Sequence, residues 1–172
     1  TLTWDRHRGH ASTYDVVELG YNYRIDEIRS ALGLVQLGKL SQGNARRRAL
    51  TGRYWRGLTG AGLRGIELPF VRAPGESSHH ILPILLPEDA DRQAFMDAMR
   101  DAGIQTSIHY PPVHQFTYYR GRYPGVSLPV TERLAAREAT LPLYPTMKDE
   151  QVDMVLTAAA IALAIARAER NA

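Results

Sequence analysis

Three features of this sequence predict an α+β fold in which one long helix leads into a small antiparallel or mixed sheet covered by further helices. Apolar residues Ile25, Ile28, Leu32 and Val35 recur at helical spacing, with Arg29, Gln36 and Lys39 toward the other side. Two β-rich runs, His80 to Leu86 and Ile104 to Tyr110, flank an amphipathic stretch from Asp89 to Ala102. An apolar stretch from Lys148 to about Arg170 reads as a final helix.

Each element follows from local chemistry. Thr1 to Leu19 is polar and irregular and reads as the interior of a larger protein. Asp26 and Glu27 oppose the positive end of a helix dipole, which places the long helix's start near Arg24. Gly33, Gly38, Gly43 and Gly52 each weaken a helix by up to ~1 kcal/mol relative to Ala. A kink or break is therefore expected around Ser41 to Asn44, with the helix resuming from Arg46 to Leu58. Gly60-Ala61-Gly62 and the stretch from Pro69 to Ser77 punctuate a short extended piece, Ile66-Glu67-Leu68. Pro83 assigns the first strand to a sheet edge or a bulge. The next helix turns Phe95, Met96 and Met99 inward and stops at Gly103. Pro111-Pro112 ends the second strand, because neither proline supplies an N–H. Val130 to Ala139 reads as a short helix, and Leu141 to Pro145 as extended. Thr146 with Asp149 resembles a capping pair for the last helix.

Composition narrows the class. With 172 residues, 44% hydrophobic and 23% charged, the chain has the makeup of a soluble globular protein of one domain, or one and a fraction. No cysteine is present, so disulfides, thiolate metal sites and thiol nucleophiles are excluded. The run from Leu156 to Ala166 is too short to span a bilayer and reads as a buried helix, so no membrane partner is expected. Thr1 to Arg8 lacks the apolar core of a signal peptide, which gives a cytoplasmic expectation. The formal charge of +3 rests on arginine, since Lys39 and Lys148 are the only lysines. Arg46-Arg47-Arg48 lacks interleaved aromatics and any nucleic-acid motif, so nucleic acid is not an expected partner.

Two constellations carry binding chemistry. Gly20-Tyr21-Asn22-Tyr23-Arg24 sets two aromatics, an amide and a guanidinium just ahead of the long helix. Unpaired N–H groups at a helix start favour a phosphate or another anion, although Asn22 reads equally as a turn or capping amide. His109-Tyr110-Pro111-Pro112-Val113-His114 is followed by Tyr118, Tyr119 and Arg120. No carboxylate or cysteine stands near enough in sequence to complete a zinc set. Packing at a wet strand end is the simpler reading, and a pocket for a hydroxylated, charged ligand is the alternative.

Taken in order, Gly20 to Arg24, Ala31-Leu32-Gly33-Leu34-Val35-Gln36-Leu37, His109 to His114 and Leu141-Pro142-Leu143-Tyr144-Pro145 resemble the DegT/DnrJ/EryC1/StrS aminotransferase family. The resemblance runs from about Arg6 to the final helix. It implies a pyridoxal 5'-phosphate enzyme that aminates keto groups on nucleotide-linked sugars, with an amino donor such as glutamate or glutamine. It further implies that this chain corresponds to the C-terminal half of a fold-type I transferase. Residues 1–24 would end the large domain and form an active-site loop, 25–59 the long linking helix, and 60–172 the small domain. The lysine that holds the cofactor would lie upstream, since neither Lys39 nor Lys148 matches it. By the same resemblance, Asn22 reaches across a homodimer to the cofactor phosphate, and Tyr21 and Arg24 face the substrate. His109, Tyr110 and His114 border the substrate cleft. Relatives that dehydrate sugars, or that serve regulatory roles, leave those alternatives open for this chain.

Overall fold

The structure, a computed structural model, describes residues 21, 23–71 and 74–170. The chain divides into two compact units, Thr1–Gly38 and Lys39–Ala172. Helix α1 (Glu27–Leu58) contributes residues to both.

In the first unit, Asp26 caps α1. Its Oδ1 accepts the Arg29 N–H at 2.8 Å, and its carbonyl accepts the Ser30 hydroxyl at 2.8 Å. The helix therefore begins slightly later than Arg24, because Asp26 binds the helix end from outside instead of joining its first turn. The apolar residues Ile28, Leu32, Leu34, Val35 and Leu37 are all exposed.

In the second unit, α1 passes through residues 41–44 without the expected break. Long-range anchors outweigh the glycine penalty there. Gly43 lies against Pro145, and the Arg46 guanidinium donates to the Met147 carbonyl and to Asp149 Oδ1, both at 2.7 Å. Further along, Leu50, Tyr54 and Leu58 enter the core, and the Tyr54 hydroxyl donates to the Pro142 carbonyl at 3.0 Å.

Strands β1 (Leu82–Leu85) and β2 (Glu138–Leu141) form an antiparallel pair in which Pro83 stands opposite Thr140. The Leu86 N–H donates to the Arg137 carbonyl at 3.0 Å, so 84/139 and 82/141 are the hydrogen-bonded pairs and 83/140 is not. The missing N–H of Pro83 thus falls on the side away from β2, where Glu67 bridges to Leu85. The proline's expected edge placement and the extended piece at Glu67 both agree with this arrangement.

The second strand differs from the sequence expectation. Ile104 to Tyr110 makes only one bridge, Ser107 to Thr140, and forms no strand. The reason is local: the His109 N–H goes to the Glu138 side chain at 2.8 Å, so a carboxylate takes the place of the next ladder partner. The strand role passes to β2, and the helix before it, α4 (Pro129–Arg137), stops short of Ala139.

Helix α2 (Arg92–Asp101) is capped by Asp91, which accepts the Ala94 N–H at 2.8 Å. It buries Phe95 and Met99, and Gly103 turns the chain at φ +77°. A helix that local pattern does not reveal, α3 (Thr117–Arg122), follows a 3-10 turn at Val113–Gln115. The last helix, α5 (Asp149–Arg170), is capped differently from the expected Thr146–Asp149 pair. Gln151 accepts the Lys148 N–H at 2.8 Å, while Asp149 is drawn to Arg46 and Arg53. By length and composition α5 could cross a membrane, yet Val152, Val155, Ala159, Ala162, Leu163 and Ala166 are buried in the core.

Candidate functional site

The first site segment lies in the first unit. Tyr21 and Tyr23 are exposed with rings 5.9 Å apart and tilted by 55°, and Arg24 follows, also exposed and outside any helix or strand. Asn22 lies outside the described residues. The helix end beside them already holds an anion, because Asp26 accepts the Arg29 N–H and lies 3.4 Å from the Arg29 Nε. Any phosphate affinity here therefore comes from side-chain donors more than from the helix terminus.

The second segment is built in the second unit by β2 and α4. His109 is held at two points: its N–H donates to Glu138 Oε2 at 2.8 Å, and its Nδ1 lies 2.9 Å from Thr140 Oγ1. Tyr110 places its ring 5.1 Å from that of His109. His114 is anchored separately, with Nε2 at 2.8 Å from Glu132 Oε1. The same oxygen accepts the Leu128 N–H at 2.9 Å. That backbone bond, and next the His114 contact, hold the Glu132 carboxyl below the ordinary value of 4.5. His109 and His114 are thus fixed on one segment by two different acidic anchors, and exposed Tyr110 lies beside the His109 ring.

Sequence reading missed Glu132, Glu138 and Thr140. Each lies 18 or more residues from the histidine it holds, beyond any local motif. The one available signal was the alternation of Glu138 and Thr140 with apolar Ala139 and Leu141.

Two larger concavities can be told apart by charge. A groove of about 870 Å³ between α2 and α5 is rimmed by Asp91, Asp97, Asp101, Glu150, Asp153 and Glu169, which disfavours a phosphate. A second, of about 890 Å³, lies between α1 and residues 69–71 and 74–83 and includes Arg48, Trp55, His79 and His80. Burial, and then Arg48 and Arg47, lower the pKa of His79 there. Among the described residues, no cluster of three or more His, Cys, Asp or Glu side chains could hold a metal ion.

Comparison with known proteins places this architecture. The model of the DegT/DnrJ/EryC1/StrS aminotransferase family matches residues 3–160. S. venezuelae DesV, solved in complex with a ketimine intermediate, is 32% identical with a TM-score of 0.74, over 95% of this chain and 42% of that one. The PLP-form of a sugar aminotransferase from Streptococcus pneumoniae, Spr1654, is 26% identical with a TM-score of 0.77, over 90% of this chain and 40% of that one. Helicobacter pylori PseC, an aminotransferase of pseudoaminic acid biosynthesis, shares the fold at 24% identity and a TM-score of 0.79, over 87% of this chain and 40% of that one. The chain thus spans about 40% of the length of the solved structures it matches. It belongs to the DegT/DnrJ/EryC1/StrS aminotransferase family.

Proposed function

We propose that this chain is the C-terminal portion of a pyridoxal-phosphate-dependent aminotransferase that acts on a keto group of a nucleotide-linked sugar. Glutamate or glutamine would be the amino donor. The observation that carries this reading is the family match over residues 3–160.

The residues present fit one end of the cofactor. Asn22 offers an amide donor suited to the cofactor's phosphate, while the Tyr21 phenol and the Arg24 guanidinium, which can make paired bonds to phosphate, suit the substrate. In a homodimer Asn22 would bind the phosphate of the neighbouring subunit's cofactor, with Tyr21 and Arg24 toward the substrate. The carbonyl end has no fitting partner here: Lys39 and Lys148 are both exposed, and the lysine that holds the cofactor would come from the N-terminal half. When bound, pyridoxal phosphate supplies the electron sink for amino transfer. This chain would bind and orient. His109, Tyr110 and His114 border the sugar, whose hydroxyls imidazole and phenol groups can both donate to and accept from.

The test is reconstitution. Mixed with a lysine-bearing N-terminal half of a relative, the chain should yield a complex that holds pyridoxal phosphate through dialysis and shows the absorbance of the lysine-bound cofactor. Asn22→Ala should weaken retention by about tenfold, the scale of one charge-assisted hydrogen bond. A stable monomer that gains no cofactor in any pairing, yet binds a protein partner without it, would replace this reading with that of an interaction module.

A further inference from the structure

We infer that His109 and His114 are set in opposite tautomers, and that Thr140 and Glu138 act as positioning residues that leave the Nε2 lone pair of His109 available to a substrate hydroxyl. The substrate part of this inference rests on the proposed placement of His109 beside the sugar; the tautomers rest on the hydrogen bonds alone.

The chain of donors and acceptors starts at Glu138. A carboxylate only accepts, and here Oε2 takes the His109 N–H at 2.8 Å while Oε1 takes the Thr140 hydroxyl at 2.5 Å. Thr140 has a single hydroxyl proton, and that proton is committed to Glu138. Its oxygen therefore meets His109 Nδ1, 2.9 Å away, as an acceptor, and Nδ1 must carry the hydrogen. In a neutral imidazole the other nitrogen then holds the lone pair. Thr140 is only 6% exposed, which limits competition from water for its hydroxyl. The His109 side chain is exposed, and Nε2 lies on the far edge of the ring from Thr140.

The opposite assignment holds at His114. Its Nε2 meets Glu132 Oε1 at 2.8 Å, and that oxygen already accepts the Leu128 N–H, so Nε2 of His114 is the donor. The His114 side chain is 12% exposed and ties the segment to α4. His109 is the one of the two whose outward nitrogen accepts. It would take a hydrogen bond from a sugar hydroxyl, with no group transferred.

Nitrogen-15 NMR of the histidine rings tests this on the chain without cofactor. The spectrum is followed with rising pH and read where the ring-nitrogen shifts no longer change, which is the neutral form of each ring. His109 should show a protonated Nδ1 and an unprotonated Nε2, and His114 the reverse. Thr140→Val should release His109 into a mixture while leaving His114 unchanged, and Thr140→Ser should restore the original pattern. A wild-type His109 found mainly as the Nε2–H form, or one indifferent to Thr140→Val, would overturn the lock. The wild-type spectrum decides by itself if Thr140→Val does not fold. Reconstitution with an N-terminal half can fail while these tautomers stand, and the tautomers can fail while reconstitution succeeds.

Discussion

Glu132 serves two donors through one oxygen, and its charge state should therefore control a loop. Because its folded pKa is lowered from 4.5, first by the Leu128 N–H and then by His114, ionised Glu132 favours the folded state at higher pH. That contribution is complete above the unfolded value of 4.5 and is lost as pH falls through the lower folded value. The Leu128 amide resonance should accordingly titrate with an apparent pKa below 4.5, and Glu132→Gln should abolish the titration. A midpoint at or above the unfolded value would show that the two bonds do not hold the carboxylate. At this scale the site was only half legible in the sequence. His109, Tyr110 and His114 stand in a contiguous motif, but the groups that orient the two histidines are distant along the chain and meet them only when β2 and α4 fold.

Two glycines of α1 show how context decides the effect of one residue type. A Cβ at Gly43 would stand 3.5 Å from Pro145, an ordinary contact, so Gly43→Ala should stabilise the fold by about 0.5–1 kcal/mol. A Cβ at Gly57 would fall 2.2 Å from Leu156 Cδ1 and must displace that side chain. Gly57→Ala should instead destabilise, with an overpacking cost of about 1–3 kcal/mol set against the helical gain. Chemical denaturation of both variants checks the contrast, and equal shifts would contradict it. Helices were legible wherever apolar spacing ran for several turns, as in α1, α2 and α5. The short α3 has no such run, and β2 was divided between a helix and an extended piece because its four residues carry too little pattern. The break expected at Ser41 to Asn44 followed propensity alone, which the Arg46 and Pro145 contacts override.

Across the second unit, one core joins α1, both strands, α2 and α5, with Phe95 fully buried in it. Phe95→Ala should cost about 3–5 kcal/mol, read as a lowered denaturation midpoint, and a loss below 1 kcal/mol would mean that the core collapses around the gap. The family was legible because its motifs, from Gly20 to Pro145, keep their order along the chain. Pro83 has a bearing on solubility. A two-stranded ladder exposes an outer edge on which another chain could add a strand, and this edge meets such a chain with a proline lacking an N–H and a Leu85 N–H already given to Glu67. The smallness of the sheet is thereby protected from growth between molecules, and Pro83→Val should turn a folded chain into one that aggregates as its concentration rises.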